Sequence, residues 1–123
     1  MKFAFLVISC LASLSLHAPA KDPERIKSDG GQTIIKEFYE DGTLKTVTRL
    51  HPDGRLLAIL YNTPKGIPTH VDYYDDQKRV RRTEFFRPDG SVHTRKEFDE
   101  HHKIVLEQEF DSDGNVTKQT NPK

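Results

Sequence analysis

The amino-acid sequence predicts an all-β fold, an antiparallel meander of twelve-residue repeats behind a cleavable export signal. Three observations predict it. Asp-Gly dipeptides recur at one fixed spacing. Apolar residues flank them at constant offsets. The first twenty residues have a composition of their own.

The N-terminal segment comes first. Lys2 supplies a positive charge, Phe3 to Leu16 form an apolar stretch interrupted by small residues, and Ala18-Pro19-Ala20 offers small residues where a signal peptidase reads. Residues 1–20 are therefore expected to be a signal peptide cut after Ala20, leaving a secreted or periplasmic domain of residues 21–123. Val7-Ile8-Ser9-Cys10 also matches a bacterial lipoprotein box, but the apolar stretch before Cys10 is short and a second one follows it. Loss of Cys10 with the signal leaves a cysteine-free domain, so packing and hydrogen bonds must hold the fold. No later segment approaches the roughly 20 apolar residues of a spanning helix. Charges of both signs are interspersed and nearly cancel, which argues against a nucleic-acid surface or a polybasic membrane anchor.

Asp29-Gly30, Asp41-Gly42, Asp53-Gly54, Asp89-Gly90 and Asp113-Gly114 share one twelve-residue register. Lys65-Gly66 keeps it without the aspartate, and Gln77-Lys78 and His101-His102 fill the remaining slots. Four residues before each slot stand Ile26, Phe38, Leu50, Tyr74, Phe86, Phe98 and Phe110, with Asn62 the exception. Two residues after stand Leu44, Leu56, Val80, Val92, Ile104 and Val116, with Gln32 and Pro68 the exceptions. The repeat runs from about Glu24 to about Gln119 without an insertion.

Pro52-Asp53-Gly54 and Pro88-Asp89-Gly90 suit a type I turn closed by a left-handed glycine, because proline fixes φ at the first central position and glycine accepts positive φ. This three-residue hairpin sets Phe38 opposite Leu44, Leu50 opposite Leu56, Tyr74 opposite Val80, Phe86 opposite Val92, Phe98 opposite Ile104 and Phe110 opposite Val116. The segments between turns are rich in Thr, Val, Ile, Tyr and Phe and predict strands near 31–39, 43–51, 55–63, 67–75, 79–87, 91–99 and 103–111. Shorter edge strands are expected near 24–27 and 115–120. Connections this short exclude parallel crossovers, so the sheet is a meander, single and twisted or curled.

Side-chain alternation assigns faces. One face should carry the apolar pairs. The other should be apolar in its first half, with Ile35, Val47, Leu57, Ile59, Tyr61, Val71, Tyr73 and Phe85, and charged in its second. There the pairs Arg81–Glu97, Arg95–Glu107 and His93–Glu109 are expected. Leu57, Ile59, Tyr61, Val71, Tyr73 and Phe85 form the candidate contact surface, in which Tyr61, Tyr73 and Phe85 are expected to make an aromatic ladder.

Tyr74-Asp75-Asp76-Gln77-Lys78-Arg79-Val80, Phe86-Arg87-Pro88-Asp89-Gly90-Ser91-Val92 and Phe110-Asp111-Ser112-Asp113-Gly114-Asn115-Val116 resemble the Tyr-Asp-x-x-Gly-x-Leu core of bacterial YD (Rhs) repeats. They are also similar to the MORN-variant repeats of YwqK-type antitoxins, although the strict twelve-residue period is shorter than that of either family. The resemblance implies an interaction scaffold and transfers no catalytic residue.

Other chemistry is sparse. His93, His101 and His102 fall within one hairpin, but a structural zinc site asks for four convergent ligands and no cysteine assists. Exposed polar turns account for them. Asp111-Ser112-Asp113-Gly114-Asn115 lacks the glycine position and the later glutamate of a calcium loop. Asn115-Val116-Thr117 matches the glycosylation acceptor pattern, relevant only in a eukaryotic host. Paired carboxylates are plentiful, yet short turns build no cleft to hold them apart.

The sequence therefore points to no enzyme, no cofactor and no metal. It leads to a binding or structural module that contacts another protein or a second copy of itself. The alternatives are a carbohydrate- or envelope-binding module using the aromatic ladder, and an antitoxin or immunity-like protein.

Overall fold

The computed structural model describes residues 21–122, so the expected signal peptide and Cys10 lie outside the described residues. Nine strands follow in order: β1 (Glu24–Lys27), β2 (Thr33–Phe38), β3 (Leu44–Leu50), β4 (Leu56–Asn62), β5 (Pro68–Tyr74), β6 (Val80–Phe86), β7 (Val92–Phe98), β8 (Ile104–Phe110) and β9 (Val116–Thr120). They form one sheet in chain order, and every neighbouring pair is antiparallel. Among the described residues only consecutive strands touch, so the meander is open and one layer thick. The strands lie within the segments expected from the repeat.

The turns have the expected chemistry. The N–H of Gly54 donates to the carbonyl of His51 at 2.8 Å, and the N–H of His51 donates to the carbonyl of Arg55 at 2.8 Å. The same two bonds close every other turn. Where the left-handed residue is not glycine, at Lys78 (φ 62°) and His102 (φ 64°), an aspartate three residues earlier steadies the loop. Asp75 accepts the N–H groups of Gln77 and Arg79, and Asp99 those of His101 and Lys103.

The first turn corrects the expected register. Gly31, not Gly30, is the left-handed residue, with φ 84°. The turn closes between Ser28 and Gln32, so Lys27 rather than Ile26 holds the position four residues before the slot. The shift sets Ile26 opposite Ile34 instead of Gln32, and that aliphatic pairing favours it.

A second departure repeats in every hairpin from β2–β3 onward. The apolar pair next to the turn forms as expected, for example Leu50 opposite Leu56. The next partner of Arg49 is then Ala58, and Leu57 is left over. Lys45, Thr69, Arg81, His93, Val105 and Thr117 are the equivalent extra residues. Each is a bulge, which adds right-handed twist and reverses the alternation of faces beyond it.

The apolar pairs therefore do not share one face. Phe38–Leu44, Phe86–Val92 and Phe110–Val116, at one end of the strands, lie on one side. Leu50–Leu56, Tyr74–Val80 and Phe98–Ile104, at the other end, lie on the opposite side. No described side chain is fully buried. The most enclosed residues, Ala58, Val71, Thr46, Thr83, Thr94 and Glu84, occupy the middle of the strands under larger neighbours. Ties between turns on the same edge add to the ladder. Tyr39 donates its hydroxyl to the carbonyl of Asn62 at 2.7 Å, Arg81 Nε donates to the carbonyl of Phe98 at 2.9 Å, and Arg87 reaches the carbonyl of Phe110.

Candidate contact surface

The bulges divide the expected contact residues between two faces. Cross-strand partners share a side, so Ala58, Leu60, Val71 and Tyr73 lie together, and Leu57 joins them around one groove. Ile59, Tyr61 and Phe85 lie on the opposite side with His70, which is partnered by both Tyr61 and Phe85. The expected ladder of Tyr61, Tyr73 and Phe85 is thus not formed. Tyr73 lies on the side away from the other two because the bulges at Thr69 and Arg81 shift β5 by one residue against β4 and β6.

The first side, termed here the groove face, carries an apolar depression of about 310 Å³. Val47, Leu57, Leu60, Val71, Tyr73 and Phe86 line it over Ala58, and Arg49 stands on its rim. Tyr73 donates its hydroxyl to Glu84 Oε1 at 3.3 Å. Glu84, only 8% exposed, also accepts Nε and Nη2 of Arg95, each at 2.8 Å. Burial first, and then the negative charge of Glu84, push the Tyr73 phenol above its ordinary pKa. The guanidinium of Arg82 sits 5.7 Å above the Tyr73 ring and is held by Glu97 at 3.5 Å.

The second side, the ring face, carries a row of three rings. Tyr61 and His70 stack at 4.6 Å with planes 18° apart, and Phe85 follows at 5.8 Å from His70. Lys96 Nζ stands 5.6 Å above Phe85. Beside the row, Thr83 donates to Asp72 Oδ1 at 2.7 Å, and Asp72 Oδ2 lies 4.0 Å from His70 Nε2. The Tyr74 phenol is also pushed up, by burial first and then by the Tyr61 hydroxyl.

The expected ion pairs do not form, because each expected partner is displaced by one residue, so that Arg82, Gln108 and Thr94 stand opposite Glu97, Arg95 and Glu109. Glu97 meets Arg82 rather than Arg81, and Arg95 meets Glu84 rather than Glu107. Glu109 meets Lys118 at 3.9 Å rather than His93. The bulge causes each change. The charge pattern itself was the signal that alternation overlooked, because a one-residue shift also sets Lys96 opposite Glu107. It would likewise have placed Leu60 and Phe86 beside Tyr73, the groove residues that alternation set on the other face.

Among the described residues no group of three or more His, Cys, Asp or Glu is placed to hold a metal ion. The ring of His102 stacks on Phe98 at 4.5 Å, and Asp111 is engaged by the N–H groups of Asp113 and Asn115 in its own turn.

No family model matches the sequence, and no curated protein matches it. Solved structures do match the fold. S. aureus TarM, solved with fondaparinux, alpha-GlcNAc-glycerol and UDP, is similar with a TM-score of 0.61 at 18% identity over 91% of this chain and 22% of its own. A GtfA/B complex gives 0.59 at 20% identity over 89% and 22%. Accessory secretory proteins 1, 2 and 3 of Streptococcus pneumoniae give 0.53 at 20% identity over 80% and 19%. The chain thus spans about a fifth of each of these proteins, and two of the three were solved as assemblies. None of the three is described as a YD or MORN repeat protein, and that resemblance stays one of turn and strand chemistry. No helix among the described residues is long and apolar enough to cross a membrane.

Proposed function

We propose that this chain is an exported, non-catalytic repeat module that makes protein–protein contacts through its sheet surface. The observation that carries this reading is the uncovered groove around Leu57, Leu60, Val71 and Tyr73. Contiguous apolar surface left open to water is the feature that a partner removes. The edges point the same way. Arg25 and Lys27 on β1 and Lys118 on β9 put charge on the outer strands, which discourages strand addition and leaves the faces for contact. The likeness to segments of larger proteins, two of them solved as assemblies, supports a module that works within a complex.

A second reading, a carbohydrate- or envelope-binding module, is favoured by Tyr61, His70 and Phe85 on the ring face. Aromatic rings beside the Asp72 and Thr83 hydrogen-bonding groups are the chemistry that grips a sugar.

The test uses residues 21–123 by light scattering over a concentration series, followed by cross-linked capture from the host envelope, with Tyr73→Asp and Tyr61→Asp beside the parent. The expected result is a self-assembly, or a defined captured protein, that Tyr73→Asp loses and Tyr61→Asp keeps. A monomer whose captured proteins are identical for all three chains would sink the reading. Binding on a glycan array that Tyr61→Asp abolishes would install the second.

A further inference from the structure

Resting on that contact reading, we infer that the groove takes a polypeptide segment of its partner in which an aliphatic side chain stands beside a carboxylate. The rim arginine carries the inference. Arg55, Arg79, Arg81, Arg82, Arg87 and Arg95 each bond a carboxylate or a carbonyl. Arg49 bonds none among the described residues, although it is the one charged side chain lining the groove. The nearby acid on this face, Glu84, is already taken by Arg95 and by the Tyr73 hydroxyl, so the groove holds a cation without its counter-charge. Lys36, opposite Val47 on the same face, has Glu24 as its direct partner on β1, so that flank is balanced and Arg49 alone is left to recognise a carboxylate.

A guanidinium beside an apolar depression recognises a carboxylate by paired hydrogen bonds, and tyrosine and arginine are the residues that dominate contact energies. The shape selects a protein segment over a free fatty acid. The groove is open along the sheet, about 310 Å³ in volume, which is room for one or two aliphatic side chains. A free lipid needs most of its surface enclosed by its host, whereas a protein partner brings the enclosing surface with it.

The test is selection of a phage-displayed random peptide library on residues 21–123, repeated on Arg49→Glu, Arg49→Gln and Leu60→Asp chains whose β-sheet circular dichroism is unchanged. The expected enriched peptides pair Leu, Ile or Phe with Asp or Glu within three positions. Synthetic copies should bind Arg49→Gln roughly tenfold more weakly, and selection on Arg49→Glu should turn to Lys and Arg. Peptides without acid enrichment, or bound equally by both Arg49 variants, overturn the inference while loss on Leu60→Asp keeps the groove as a contact site. Peptides indifferent to Leu60→Asp overturn the contact reading itself. Absence of enriched peptides together with saturable dodecanoate binding lost in Arg49→Gln also overturns it, and assigns the groove to a free amphiphile. Absence of both removes the groove as a site.

Discussion

Leu44 and Leu50, at the two ends of the same strand, face opposite sides of the sheet. Leu44 pairs with Phe38 and Leu50 with Leu56, and between them Lys45 is the residue without a partner. Simple alternation would have set the two leucines on one side. The same offset recurs in each later strand, so the two ends of the sheet present their aromatic and aliphatic pairs to opposite faces. A single layer then cannot collapse onto one apolar side, and both faces keep a mixture of apolar and charged groups.

Cysteine pairs test this register directly, because the described chain has no cysteine of its own. Arg82→Cys with Glu97→Cys places the pair at direct partners and should form a disulfide on mild air oxidation. Arg81→Cys with Glu97→Cys is one residue out of register, because Arg81 lies beside Phe98 instead, and should cross-link less than the direct pair. Mass spectrometry under non-reducing conditions reads the result. A higher yield from the Arg81 pair would return the register to simple alternation.

Much of this architecture was legible in the sequence because the turns are local. Pro52-Asp53-Gly54 contains its own geometry, and the pair it closes, Leu50–Leu56, needs no distant information. The bulge was not legible from hydrophobicity, since Leu57 and Ala58 are both apolar and either could face the groove. It was written in the charges, where Arg82 with Glu97 and Glu84 with Arg95 match only after the shift. The first turn misled for a different reason. Gly30 and Gly31 both accept a left-handed conformation, and the Ile26–Ile34 contact across the strands decides between them.

Lys78 occupies a left-handed position, φ 62°, that its neighbours along the repeat give to glycine. A side chain there costs about 1 kcal/mol or more. Lys78→Gly should therefore stabilise the domain by up to about 1 kcal/mol in urea unfolding, net of the greater freedom glycine has when unfolded. His102→Gly should yield less, because the ring it removes stacks on Phe98. A destabilised Lys78→Gly chain would mean that the side chain does more than fill the slot.

Asp75 ties stability to acid. The N–H of Arg79 first, and then those of Gln77 and the Arg79 side chain, hold its carboxyl at about 2 against an ordinary 3.8. Asp99 and Asp111 are lowered in the same way by the N–H groups of Lys103 and Asn115. The folded value lies below the unfolded one, so folding favours the ionised form. The contribution is complete above 3.8 and is lost as pH falls through the folded value near 2. Urea midpoints should decline across that window, and Asp75→Asn should flatten the decline while lowering the midpoint at neutral pH. An unchanged acid limb in the variant would show that the turn carboxylates do not set it.

Glu84 poses the sharpest energetic question, because it is a carboxylate 8% exposed in the middle of a one-layer sheet. Its charge is balanced by Arg95, whose guanidinium also lies 5.3 Å over the Phe110 ring, and its second oxygen takes the Tyr73 hydroxyl. Arg95→Met keeps most of the packing against Phe110 and removes the counter-charge. Leaving the carboxylate enclosed without it should cost about 3 kcal/mol, at the lower end of the usual range because Arg95 is itself 32% exposed. Adding Glu84→Leu to Arg95→Met removes the stranded charge and should restore most of that loss, since an apolar pair in such a place is often as stable as the ionic one. Urea unfolding of the parent, the single variant and the double variant separates the possibilities. If the double variant is as unstable as Arg95→Met, the ion pair fixes the β6–β7 register itself, and cysteine cross-linking between positions 82 and 97 should then fail in it as well.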